Sequence, residues 1–192
     1  MCIRDRGKTY DGGYKTLTGS GPATWNHDHT LFGVSDLCGN IWEWFAGMRL
    51  MDGVIEVIQD NNAAADIDMS KDSEKWVALM KDGKPIRINA EDGGLKFTTE
   101  ESGMDYDGCE WGDAEFEFDV TEQMKELALY SGEPETYLYA DTEGERLPIA
   151  GGYWNGGAHA GVFNLHLTDA RSYSNGNVGF RSAFYGKLDS EI

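Results

Sequence analysis

The chain of 192 residues carries 16 Lys and Arg against 34 Asp and Glu, a formal net charge of -18, and 40% of it is hydrophobic. That length is enough for one domain with a buried core, and the negative charge argues against nucleic acid and membrane surfaces as partners. Its 3 cysteines have no metal-ligand spacing, which argues against a disulfide framework and a structural zinc site, and no run approaches the ~20 apolar residues of a membrane span.

The beginning of the chain predicts little regular structure. Residues 1–6 join no pattern that follows them, so we expect a non-native segment there and a single domain over residues 7–192. Residues 7–30 are rich in Gly, Thr and Tyr, which predicts loops and short edge strands. His27 and His29 could bind a metal from one face of a strand, although a polar loop packed on Trp25 is the simpler explanation.

An aromatic stretch follows, in which Gly39 and Asn40 predict a turn and two Trp residues flank Glu43. A carboxylate in such a cluster needs a partner, because an unpaired buried charge is costly. Asp36 lies on the other side of the turn, so a calcium ion between the two acids would satisfy both. The alternative is that Glu43 accepts hydrogen bonds from backbone groups or from an Arg.

The middle of the chain reads as a series of short elements. Residues 54–58 are rich in β-branched side chains and predict a strand, and Asp82 with Gly83 predicts a hairpin turn. Asp119 predicts the N-cap of a helix over residues 120–130. We expect residues 60–145 to be an insertion into a domain whose core comes from both ends of the chain.

The most informative segment is residues 150–184, in which two sets of positions interleave. Apolar residues alternate in residues 163–167, which predicts a strand that buries Phe163, Leu165 and Leu167. The other set is polar, with the Tyr, Asn and Gly content of an antibody-like binding surface, although a solvated sheet face with Asn-Gly turns is the plain alternative. These candidate ligand-binding positions, the display residues, are Tyr153, Asn155, Gly156, His159, Asn164, His166, Thr168, Asp169, Tyr173, Asn175, Gly176 and Asn177.

Three motifs carry a resemblance to known families. They are G-x-x-D-x-x-G-N-x-W-E-W over residues 33–44, G-G-x-W over residues 151–154, and G-F-R over residues 179–181. In this order they resemble the signature of the formylglycine-generating enzyme (sulfatase-modifying factor) domain. The C-terminal segment is still more similar to the variable proteins of diversity-generating retroelements, the type found in gut bacteria and phages.

The resemblance implies both a fold and a function. The implied fold is α+β, a C-type-lectin-like fold of the formylglycine-generating enzyme type, with short twisted strands, few helices and much loop. The implied function is ligand binding through a mutable C-terminal face, because in such systems a reverse transcriptase copies a template with errors at adenines. The display residues match the variable positions of that family. The expected partner is a protein or cell-surface ligand, and the expected location is a cell surface or a phage particle.

The resemblance also bears on metals and catalysis. It implies a structural calcium site at Asp36, the carbonyls of Gly39 and Ile41, and Glu43, with no cofactor required. Formylglycine-generating enzymes use a reactive Cys pair in the C-terminal region, and residues 151–184 contain no Cys, so we expect no oxidase activity. The alternatives are a divergent oxidase of this kind and a structural accessory domain of a phage tail or surface appendage.

Overall fold

A computed structural model describes residues 7–91, 93–101, 103, 105–130, 135–157 and 160–182. Within these residues the regular structure consists almost entirely of short strands. They are β1 Trp42–Trp44, β2 Met48–Met51, β3 Val54–Ile58, β4 Trp76–Ala78, β5 Met80–Lys81, β6 Lys84–Pro85, β7 Arg87–Glu91, β8 Gly94–Thr98, β9 Tyr106–Glu110, β10 Glu115–Phe116, β11 Tyr137–Asp141, β12 Glu145–Ala150, β13 Leu165–Asp169 and β14 Val178–Gly179. One helix, α1 Glu122–Glu126, and three 3-10 turns at Tyr10–Gly12, Ala23–Trp25 and Gln59–Asn61 complete the described structure.

The fold is nearly all β, so the predicted α+β, C-type-lectin-like fold is wrong. The helix predicted over residues 120–130 shrinks to the five residues of α1 for two local reasons. Thr121, not Asp119, is the N-cap, because its Oγ1 accepts a hydrogen bond from the Met124 amide at 3.2 Å. Ala128 then adopts a φ of 57°, which a continuing α-helix does not allow.

Twelve of the strands form a single sheet. Its main path runs β10-β8-β7-β3-β2-β12-β13-β11-β9, while β4 pairs with β3, β1 pairs with β12, and β14 pairs with β1. The predicted strand over residues 54–58 is confirmed as β3, and the predicted hairpin at Asp82 and Gly83 joins β5 to β6. At that turn both residues have positive φ, as a tight two-residue hairpin requires.

The sheet curls around one apolar core, so that β9 approaches β7 and β8. Residues 60–145 contribute strands β4 to β11 to this arrangement, and their description as an insertion stays a prediction. Across the described residues no helix has the length and apolar character needed to cross a bilayer. The largest fully buried side chains are Phe97, Leu50, Ile55, Ile58, Ile86, Ile88, Leu95, Met124, Leu129, Leu138, Leu165 and Leu167.

Candidate functional site

Strand β13 supplies the centre of the predicted binding segment. Leu165 and Leu167 are each 1% exposed, as the alternating pattern predicts, and the intervening His166 lies on the opposite face of the sheet. The strand begins at Leu165 and not at residue 163, so Phe163 lies before it and is only half-buried, against the prediction. The His166 ring lies between Trp42 and Tyr139, with ring centroids 4.4 and 4.3 Å away. Burial between these rings lowers the pKa of His166 to about 4, so the imidazole is neutral at neutral pH. The His166 side chain is therefore mainly a packing residue, and little of it is accessible to a ligand.

The face of the sheet that carries His166 is its outer face, opposite the core. A run of seven touching rings, the aromatic layer, crosses this outer face. It consists of His166, its two neighbours, and further rings at both ends. The layer connects β11, β13 and β1 to the loop after β12, and it gives that loop a rigid support. In order, the centroid separations are 5.9 Å for Tyr137–Tyr139, 4.3 Å for Tyr139–His166, 4.4 Å for His166–Trp42, 6.2 Å for Trp42–Tyr153, 6.3 Å for Tyr153–Trp154 and 4.6 Å for Trp154–Tyr14.

Residues 151–157 form the first loop of the site. Gly151 has a φ of 92°, and a Cβ there would lie 3.0 Å from the Leu37 carbonyl oxygen, so the close approach requires glycine. The Trp154 amide donates to the Asn40 carbonyl at 3.0 Å, which fixes the middle of the loop. Asn155 follows directly and is exposed. The first loop thus presents Asn155 from an anchored backbone.

Residues 170–177 form the second loop. Tyr173 is 38% exposed and its ring meets the edge of Trp44 at a centroid distance of 6.4 Å. The Asn175 Nδ2 donates to the Tyr173 hydroxyl at 3.1 Å, and both Asn175 and Gly176 are exposed. A Cβ at Gly176 would meet only Lys15 Nζ, at 3.8 Å, so this position has room for a side chain.

The start of the second loop is tied to the sheet by an ionic network. Glu145 in β12 is 7% exposed and accepts hydrogen bonds from Arg171 Nε at 3.0 Å and Nη2 at 2.8 Å. Arg49 in β2 donates to the same carboxylate at 2.9 Å. Hydrogen bonding from Arg171, with a smaller contribution from Arg49, lowers the pKa of the Glu145 carboxyl. The network holds the loop without using any display residue.

The N-terminal segment joins the two loops, which the sequence did not indicate. Tyr14 stacks on Trp154 of the first loop with an interplanar angle of 11°. Lys15 Nζ donates to the Gly176 carbonyl of the second loop at 2.6 Å. The Thr16 amide donates to the Asn40 side chain at 2.9 Å, close to the first anchor. Only its richness in Gly, Thr and Tyr marked this segment beforehand, and that composition fits many loops.

The structure gives the display residues unequal access to solvent. Asn164 is 1% exposed, and its Oδ1 accepts a hydrogen bond from the Tyr137 amide at 2.7 Å, so it offers no surface to a ligand. Asp169 is half-buried, and burial raises the pKa of its carboxyl. His159 lies outside the described residues. The remaining half-buried display residues are Tyr153, Gly156, His166, Thr168 and Asn177, and the exposed ones are Asn155, Tyr173, Asn175 and Gly176.

The residues of the predicted calcium site do not fit a calcium ion. Both carboxylate oxygens of Glu43 accept hydrogen bonds from Arg181, at 2.9 Å from Nε and 2.5 Å from Nη2. Asp36 Oδ2 instead accepts a hydrogen bond from the Gly19 amide at 3.0 Å. Arg181 is thus the partner that the sequence left open as the alternative to a metal.

Metal-binding groups are equally lacking elsewhere in the described part of the chain, where no three His, Cys, Asp or Glu side chains converge. The two N-terminal histidines are used within their own loop. His27 Nδ1 accepts from the Val34 amide at 2.8 Å, and His29 Nδ1 is 2.7 Å from the Thr24 carbonyl oxygen. These contacts support the packed polar loop rather than a metal site.

A cleft of about 550 Å³ opens between the first loop and the N-terminal segment. Among the display residues that the structure describes, only Asn155 lines it. The sequence did not single out this cleft, because its two walls are far apart along the chain. The lining residues are Trp25, His27, Val34, Asp36, Leu37, Cys38, Asn40, Trp154, Asn155, Gly157, Ala160 and Val162.

Comparisons with known proteins add no identification. No protein-family model matches the chain, and no curated protein matches its sequence. The functional interpretation therefore rests on the three motifs and on the geometry of the two loops.

Proposed function

We propose that this protein binds a protein or cell-surface ligand through the two loops of the C-terminal segment. The observation that carries the proposal is the separation of exposed side chains from anchoring ones. Asn155, Tyr173 and Asn175 are exposed, whereas the loops that carry them are fixed by backbone hydrogen bonds, by the aromatic layer and by the Arg171–Glu145 ion pair. Preorganised loops of this kind bind with a small loss of conformational entropy.

The chemistry of the exposed positions supports binding. A Tyr ring offers a large contact area with few torsions to freeze, and Asn side chains donate and accept hydrogen bonds in several geometries. Tyr173 is both supported and accessible, because its ring packs on Trp44 while more than a third of its surface stays exposed. We assign Tyr173 as the main aromatic anchor of the interface.

The proposal includes retroelement-templated change of specificity. Asn, Tyr, His, Asp, Thr and Gly, the residue types of the display set, are all reachable from an Asn codon by changes at its first two bases. The exposed positions tolerate such changes, as the free space at Gly176 illustrates. Anchors such as Trp154 and Leu165 are of other residue types, whereas Tyr153, His166 and Asn164 share the types of the display set but are packed within the protein.

Sequencing the DNA that flanks the gene tests this part of the proposal. We expect a near-copy of the coding region for residues 150–184 beside a reverse transcriptase gene. The copies should differ mainly at adenines in the codons for Asn155, Tyr173 and Asn175, and should agree at the codon for the buried Asn164. The coding region for β11 is the matched control and should have no second copy. Absence of a near-copy, or differences spread evenly over anchors and exposed positions, would contradict templated diversification.

A further inference from the structure

The cleft beside the first loop combines aromatic walls with one carboxylate. Trp25 and Trp154 line it together with Val34 and Leu37, and Asp36 is the acidic residue among its lining residues. No Lys or Arg is among the residues that line it. The protein as a whole carries a net charge of -18, so the field around the cleft attracts cations.

Asp36 is held in place by the backbone and has no cationic partner among the described side chains. Its φ is 56°, and its Oδ2 accepts a hydrogen bond from the Gly19 amide at 3.0 Å. Arg181 reaches only the Asp36 carbonyl, at 3.5 Å, because its guanidinium is paired with Glu43. A half-buried carboxylate of this kind is stabilised when a cation approaches it.

Three other polar side chains of the cleft are already used in hydrogen bonds within the protein, which disfavours a metal ion as the occupant. Asn40 exchanges two hydrogen bonds with the Thr16 backbone, at 2.9 and 3.1 Å. His27 Nδ1 accepts from the Val34 amide, and Cys38 Sγ donates to the Ala160 carbonyl at 3.3 Å. A hard cation needs about six oxygen ligands. An organic cation needs only one carboxylate and can place its apolar stem against the indole rings.

We propose that this cleft binds a basic side chain, Arg or Lys, of the protein ligand. The charged group pairs with Asp36 and the methylene stem packs against Trp25 and Trp154. This inference rests on the proposed ligand-binding function, and it assigns the chemistry of one contact that the exposed loop residues do not provide. Asn155 connects the cleft to the loop surface, since it both lines the cleft and belongs to the first loop.

The test is a titration of the full chain with N-acetyl-arginine amide and with its neutral citrulline counterpart, followed by NMR shifts of the indole N–H groups. We expect the arginine probe to bind on the order of tenfold more tightly than the citrulline probe, and its affinity to fall as salt is added. Equal binding of the two probes, or binding that is insensitive to salt, would overturn the assignment.

Two variants with matched controls locate the contact. Asp36→Asn keeps an acceptor for the Gly19 amide and should weaken the arginine probe about tenfold, while Asp66→Asn, at an exposed position outside the cleft, should not. Trp25→Leu should also weaken binding, whereas Phe32→Leu, at a side chain that is 97% exposed and outside the cleft lining, should leave it unchanged. If Asp36→Asn does not fold, Trp25→Leu decides alone. Unchanged affinity in the folded variants would place the probe elsewhere.

This test and the flanking-DNA test fail independently. A near-copy of the gene segment together with no arginine binding would leave the proposed function standing and remove the cleft assignment. Asp36-dependent arginine binding without a near-copy would establish the cleft as a site of fixed specificity and would contradict diversification.

Discussion

Tyr173 and Tyr153 occupy different surroundings, and this difference predicts different costs on substitution. Tyr173 is 38% exposed and touches Trp44 only edge-on, so Tyr173→Ala should change the free energy of unfolding by less than about 1 kcal/mol. Tyr153 packs on both Trp42 and Trp154, so Tyr153→Ala should cost about 1 to 2 kcal/mol. Urea unfolding of both variants measures this. A larger loss for Tyr173→Ala would make that ring part of the core.

His166 predicts a pH dependence of stability. Its pKa is about 4 in the folded protein, against an ordinary value of 6.5, so the unfolded chain binds more protons between these values. His166 should therefore contribute no penalty above pH 6.5 and should cost about 2 to 3 kcal/mol as the pH falls to 4. The comparison is urea unfolding of the native chain and His166→Phe, whose difference isolates this residue from the carboxylates. An identical pH profile in both proteins would contradict the burial of His166.

The same pKa bears on ligand binding. If His166 were a ligand anchor with an ordinary pKa, affinity should change between about pH 5 and 7.5. With a pKa of about 4, His166 stays neutral across that range. Titration of His166 therefore does not alter affinity there, and its value to the site is the support that its ring gives to Trp42.

At the scale of elements, the ionic network predicts unequal effects of removing its members. Glu145→Ala leaves Arg49, which is 6% exposed, with one carboxylate fewer and should cost about 3 kcal/mol. Arg171→Ala should cost less than about 1 kcal/mol, because the Arg171 side chain is 40% exposed. The Arg171→Ala substitution should, however, speed amide hydrogen exchange in the second loop. Lys125→Ala, at an exposed pair, is the control. Equal costs for Glu145→Ala and Arg171→Ala would contradict the network.

The Arg181–Glu43 pair predicts that calcium does not stabilise the protein. A ligand that binds the folded state at 100 times its Kd adds about 2.7 kcal/mol, which would raise Tm by several degrees. Since Arg181 occupies both oxygens of Glu43, thermal unfolding should be the same in millimolar calcium and in EDTA. Glu43→Gln should lower Tm equally in both. The contrary result is a Tm that rises with calcium in the native chain but not in Glu43→Gln. It would show that calcium displaces the Arg181 guanidinium from Glu43.

Local patterns predicted the strands well and the helix poorly. β3 and the buried side chains of β13 follow from β-branched content and strict alternation, which depend on neighbouring residues only. The helix ended early because Ala128 takes a left-handed conformation that its residue type does not signal. The α+β prediction was wrong because it came from motif resemblance, which covered the ends of the chain and not the strands between them.

The candidate site was predictable only in part, for a related reason. Residue chemistry identified Asn155, Tyr173 and Asn175 as polar positions, and the structure exposes all three. The hydrogen-bond partners of Glu43 and Asn164 lie 138 and 27 residues away, so no spacing along the chain predicts these two contacts. Tertiary pairing thus decides which polar residue is available to a ligand.

At the scale of the whole molecule, one curled sheet separates the buried core from the two loops of the candidate site. The core side chains lie on the inner face, the aromatic layer covers part of the outer face, and the two loops lie beyond it. Substitutions at the exposed loop positions remove no core contact, so their effects on folding should be small. The proposed binding function depends on this separation of core and loops.

A library randomised at Asn155, Tyr173, Asn175 and Gly176 tests whether the loops can vary independently of the core. A matched library at Glu74, Lys75, Lys84 and Glu143, which are exposed elsewhere, is the control. Both libraries are displayed, scored for protease resistance, and selected against several unrelated proteins. We predict that most members of both libraries stay folded and that binders come mainly from the loop library. Widespread loss of protease resistance in the loop library, or equal recovery of binders from the control, would contradict a stable frame with a dedicated binding face.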